Sequence, residues 1–319
     1  MIGKHEVVVQ NNRVQYKFAI RRNLTILRGD SATGKSTLID LIAQYGRDGE
    51  NSGVSLRCDK TCVVLTSDLW QLRLSTIKDS IVFIDEDNSF ASTKEFAENA
   101  KNSDNYYVIV MRESLPTLPY SVDEIYTLKN KTKGYGQIKR LYTSFRRIYE
   151  KEALNKPNQK PDLVIVEDSN SGFQFFRQVF DEWKIPCISA NGKSNIFAEI
   201  EKTPIGTTVL IIADGAAFGP EIEKTLAQRR KRNIILFLPE SFEWLILSSE
   251  LFSDTQTKEM LQNPENAIES SAFFSWERFF TKYLTDKTKD TYLHYGKREL
   301  NPVYLQDHEK AAIMKGFPE

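Results

Sequence analysis

The chain has 319 residues, 40% hydrophobic and 27% charged, which is room for two domains of ordinary size. Its 43 basic and 43 acidic residues cancel, which excludes a globally basic nucleic-acid binder and leaves only a local patch for such contact. No stretch approaches the ~18 apolar residues of a membrane span, and the opening MIGKHEVVVQNN lacks the apolar core of a secretory leader, so a cytoplasmic protein with no membrane partner is expected. Cys58 and Cys62 are spaced C-x3-C without a second pair, and with Cys187 they read as free thiols rather than a zinc site.

In chain order, EVVVQ and VQYKFAI flank the turn-prone Asn11-Asn12 and predict a β-hairpin. LTILR (24–28) is a short apolar strand, and Leu38, Ile39, Leu41 and Ile42 mark a helix over 36–45. Residues 46–60 are polar and glycine-rich, a loop. TCVVLTS, SIVFIDE (80–86) and NYYVIVMRE (105–113) are further strands, with EIYTLKN (124–130) a fifth at the edge. Apolar runs without alternation, separated by helices, predict a parallel sheet covered on both faces. Residues 129–160 are rich in Lys and Arg against only Glu150 and Glu152, with Tyr135, Tyr142, Phe145 and Tyr149 interleaved and KPNQKP at the end. A solvated linker helix is the plain reading; a strip that tracks a phosphate backbone and stacks on bases is its alternative. From 161 a second series begins: LVIVED, IPCISA, TTVLIIAD and NIILFLPE are strands alternating with helices, followed by FEWLILSSELF. The expected fold class is therefore α/β: two parallel-sheet domains with a helical C-terminal tail. The expected organisation is a first domain over 1–130, a basic linker over 131–160, a second domain over 161–250 and the helical region 251–319.

Between LTILR and the first helix stands GDSATGKST, with Gly29, Asp30, Ser31, Ala32, Thr33, Gly34, Lys35, Ser36 and Thr37. Glycines let the backbone turn tightly and present successive N–H groups to an anion at the positive end of the following helix. Lys35 is expected on the β- and γ-phosphates of ATP, and the Ser36 hydroxyl on Mg²⁺. SIVFIDE ends in Asp85, expected to hold the same ion, and Glu86, expected to polarise the attacking water. Arg112, after the next strand, is a candidate sensor of the γ-phosphate.

This half resembles the P-loop NTPases, and more narrowly the ATP-binding-cassette type, over residues 5–130. It lacks an LSGGQ-like signature before Asp85 and has Arg112-Glu113 where that family has a histidine after the next strand. In the second half acids follow strands: Glu167 and Asp168, Asp214, Glu240 and then Glu243, with Asn191, Gly192 and Lys193 on the same expected sheet edge. VIVEDSNSG and LIIADGAAFG resemble the Toprim fold, and the resemblance implies Mg²⁺ at Glu167 and Asp214. Ala216 stands where that family has a further aspartate. The order, ATPase then Toprim, resembles the overcoming-lysogenization-defect proteins of phage defence and mobile elements. It implies an ATP-controlled unit that processes DNA or RNA. An ATP-switched protein-binding module without nuclease activity is the alternative, and a small-molecule kinase a third. A homodimer or a protein partner is compatible with either of the first two.

Overall fold

The computed structural model describes residues 1–29, 33–135, 138–150, 154 and 160–317. Two compact units divide the chain: Met1–Tyr120 with Glu124–Ile148 and Asn263–Phe274, and Ser121–Asp123 with Tyr149–Gln262 and Ser275–Glu319. Both are α/β.

The first unit holds a nine-stranded sheet. Its strands are β1 (His5–Gln10), β2 (Val14–Ile20), β3 (Leu24–Leu27), β4 (Ser55–Arg57), β5 (Thr61–Val64), β6 (Ser80–Ile84), β7 (Tyr106–Val110), β8 (Ile125–Tyr135) and β9 (Ile138–Arg147), in the order β4-β1-β2-β9-β8-β3-β7-β6-β5. LTIL, SIVFI and YYVIV are buried at every residue, as strands covered on both faces must be. These strands, with β5 and β8, pair in parallel. The sheet is mixed: β1 and β2 form the antiparallel hairpin expected around Asn11-Asn12, β1 also pairs antiparallel with β4, and β8 pairs antiparallel with β9. The helix Lys35–Asp48, here α1, buries Leu38, Ile39, Leu41 and Ile42 in the core beneath the sheet, together with Phe18, Phe83 and Val108.

Two differences from the expected organisation follow from side-chain direction. Ile125–Tyr135 and Ile138–Arg147 are paired strands of this sheet, not a linker helix. Leu128 and Phe145 face the core, where Phe145 stacks on Phe18 with centroids 4.0 Å apart, while Lys129, Lys131 and Arg146 alternate to the other face. Asn263–Phe274 also belongs to the first unit. The Gly3 amide donates to Glu265 O (2.8 Å), Asn23 Nδ2 donates to Ser270 O (3.0 Å), and the Met1 amine is held by Glu269 and Ser270.

The second unit is built on four parallel strands, β10 (Leu163–Val166), β11 (Cys187–Ser189), β12 (Thr208–Ile212) and β13 (Asn233–Phe237), in the order β11-β10-β12-β13. Just past β12 the backbone runs hard against the segment after β13. Gly215 N–H donates to Pro239 O at 2.6 Å, and a Cβ on Gly215 would lie 2.6 Å from Leu238 O. Only glycine fits there. The next residue, Ala216, donates its N–H to Glu240 O and is buried. Among the described residues no helix is long and apolar enough to cross a membrane.

Candidate functional site

In the first unit β3 runs into a loop that ends at the first turn of α1. Gly29 and Gly34 carry φ of +140° and +98°, left-handed values that the two glycines of the motif supply. Gly34 is the N-cap of α1; the Tyr16 hydroxyl donates to its carbonyl at 2.8 Å, and Leu38 N–H donates to the same oxygen at 3.1 Å. The first turn of α1 holds no acidic residue, so no carboxylate of its own offsets the positive end of the helix. Lys35 is buried, and its ammonium donates to Gly29 O at 2.6 Å and Thr33 Oγ1 at 3.3 Å, bridging the two ends of the loop. Ser36 and Thr37 are exposed at the helix start. Asp30, Ser31 and Ala32 lie outside the described residues. Tyr16, and Thr127 beside Gly29, support the loop from distant strands that no local motif marks.

The order β6-β7-β3, all parallel, sets three strand ends side by side. Asp85 and Glu86 leave β6 and Arg112 follows β7, around a groove of about 430 Å³ that also includes Asn88, Ser92 and Leu115. Burial raises the Asp85 carboxyl above its ordinary range, against the Glu86 N–H that donates to Oδ1 at 2.8 Å; Asp87, Glu86 and Asp40 repel it further. Glu86 is held low, chiefly by the Arg112 guanidinium, with Lys35 adding to it. Asp85, with Asp87, Glu86 and Asp40 acting on it, and the exposed Ser36 hydroxyl offer hard oxygen donors of the kind Mg²⁺ takes alongside phosphate and water. These residues fit such an ion.

In the second unit Glu167, Asp214, Glu240 and Glu243 follow the carboxyl ends of the parallel strands. The Asp214 N–H donates to Glu167 Oε2 at 3.0 Å. Asp168 has a structural task, accepting N–H bonds from Asn170 and Gly172 at the start of the helix Ser171–Glu182. Glu243 is fully buried; its Oε1 accepts the Tyr295 hydroxyl at 2.8 Å and lies 2.9 Å from Lys297 Nζ. Tyr295 also meets Ser171 Oγ at 2.6 Å, and Lys297 stands 3.6 Å from Glu277. Lys193 donates to Ala217 O at 2.8 Å.

Burial pushes Glu167 up to about 7, with Glu277 and Asp168 adding to it, and raises Asp214 well above the carboxylate range for the same first reason. Burial works the same way on Glu243, but Lys297 outweighs it and holds this carboxyl low. The resemblance implies Mg²⁺ at Glu167 and Asp214, and the donors do not fit it. Ala216 removes a carboxylate, Glu167 is engaged by the neighbouring backbone, and Lys297 and Lys193 already bring positive charge to the acids. Among the described residues no three His, Cys, Asp or Glu side chains converge as a metal cage. Lys297, Tyr295 and Glu277 come from a C-terminal region whose sequence carries no motif for them.

No protein-family model matches the chain, and no curated protein matches it.

Proposed function

We propose that the first unit binds ATP with Mg²⁺ and hydrolyses it slowly, and that its nucleotide state controls a degenerate Toprim-like second unit of a nucleic-acid-processing protein, as a component of defence or of a mobile element. The observation that carries the nucleotide half is Lys35 bridging Gly29 O and Thr33 Oγ1 across a loop with left-handed glycines at both ends. In that state the ammonium occupies the mouth of an anion cradle. A triphosphate competes with these oxygens for the ammonium and gains the N–H groups of the first turn of α1. Ser36 and Asp85 would hold Mg²⁺, which neutralises charge developing on the phosphates. Glu86 orients and polarises the attacking water once Arg112 leaves it for the γ-phosphate.

The second reading is a nucleotide-switched protein-binding module. Ala216 and the lysine-compensated acid cluster favour it, because they argue against metal-dependent cleavage in the second unit.

Thermal melting in millimolar ATP and Mg²⁺ tests the nucleotide half. At a hundredfold excess over Kd, ligand stabilises by about 2.7 kcal/mol. The wild type is expected to shift accordingly and Lys35→Ala to stay in place; a wild type that does not shift overturns the proposal.

A further inference from the structure

We propose that the outer face of the β8–β9 hairpin binds the phosphodiester backbone of a single-stranded nucleic acid. In a chain whose charges balance, β8 holds three basic residues and β9 four, and neither strand holds an acid. The register opposes Thr127 to Arg146, Lys129 to Ser144 and Lys131 to Tyr142. Directly opposed residues of antiparallel strands share a face, so these six form one strip. It is the solvent face, because Leu128 and Phe145, one residue out of phase, enter the core. Lys129, Lys131 and Arg146 are exposed and form no ion pair among the described residues.

The two-residue repeat of a strand spaces Lys129 and Lys131 by about 6.8 Å, close to the step between successive phosphates of an extended single strand. Tyr142 is half-exposed, with the Arg140 guanidinium 5.8 Å from its ring centroid, a surface on which a base stacks. Along the same sheet face Gln15 stands in register with Tyr142, and Glu6 is neutralised by Lys17 at 3.0 Å. Surfaces that serve solubility alone intersperse both signs; this one carries a single sign. The strip starts at Thr127, whose Oγ1 is 3.0 Å from where a Cβ on Gly29 would lie, so it is continuous with the phosphate loop. Coupling to ATP rests on the proposed function; binding of the nucleic acid does not.

Fluorescence anisotropy on the full chain tests this with labelled single-stranded DNA and RNA oligonucleotides of mixed sequence, a duplex, and phosphatidylserine vesicles. The wild type is expected to bind single strands in preference to duplex, with affinity falling steeply as salt rises. Replacing both Lys129 and Lys131 by Glu should weaken binding at least thirtyfold. The pair Lys131→Gln with Arg146→Gln should weaken it about tenfold and lower the log–log salt slope by roughly 1.4, at about 0.7 per lost contact. Tyr142→Ala should cost about tenfold, and Lys35→Ala should bind oligonucleotide like the wild type, which separates this proposal from the nucleotide one. No salt-dependent binding by the wild type, preference for duplex or vesicles, or unchanged affinity in folded Lys131/Arg146 variants would overturn it.

Discussion

Arg112 grips Glu86 with both arms of its guanidinium, Nε 3.0 Å from Oε2 and Nη2 2.5 Å from Oε1, although the two are 26 residues apart. The contact occupies the carboxylate expected to act on water, and it is made by a largely exposed arginine, 66% accessible. An exposed pair of this kind is exchanged readily, and a γ-phosphate with more negative charge competes for the same fork.

Glu86→Gln should therefore abolish the water-polarising step while leaving the cradle intact. Phosphate release is expected to fall about 10²-fold or more with ATP affinity retained. Arg112→Ala should leave the melting temperature unchanged and lower hydrolysis about tenfold. It should also move the acid limb of the pH profile of kcat/KM upward, because in the free protein Glu86 loses the partner that holds its carboxyl low. Unchanged rates in Glu86→Gln would remove Glu86 from catalysis.

At Gly34 two effects coincide. An alanine there must adopt φ near +98°, at a cost of about 1–2 kcal/mol, and its Cβ would lie 2.8 Å from the Tyr16 hydroxyl oxygen. Tyr16→Phe alone should cost about 1 kcal/mol through loss of the bond to Gly34 O. Removing the hydroxyl also removes the clash, so urea unfolding of the double variant should show less destabilisation than the sum of the singles.

Acid–base behaviour should reveal the second cluster. Glu167 titrates near 7 in the folded chain, above the ~4.3 of an unfolded glutamate. The folded state thus binds the proton more tightly, and this contribution is fully present below about pH 4.3 and lost as pH rises through about 7. Asp214 acts in the same direction. Between about pH 5 and about pH 7.5 the melting temperature of the second unit should drop by a few degrees, and Glu167→Gln should flatten the slope. Equal slopes in the two proteins would refute the assignment.

Lys297 is expected to matter as the counter-charge of buried Glu243. Lys297→Met leaves that carboxylate unpaired and should destabilise by about 3 kcal/mol, while adding Glu243→Gln should recover most of the loss in chemical denaturation.

The local chemistry was legible in the order of residues alone. Continuous apolar runs marked β3, β6, β7, β10 and β12. The glycines and Lys35 marked the loop, and Asp85, Glu86, Glu167 and Asp214 stood at strand ends because their place depends only on the strand before them. The remainder came only with the folded chain, because strand order and cross-strand register are long-range choices that no local period encodes. β7 lies between β3 and β6, and so Arg112 reaches Glu86. Lys131, Arg140 and Arg146, which read as part of a linker by composition, come to share one face with Lys129 once β8 and β9 pair. Lys297 meets Glu243, 54 residues earlier in the chain, because the segment Ser275–Glu319 packs within the second unit, where a buried carboxylate must find a cation.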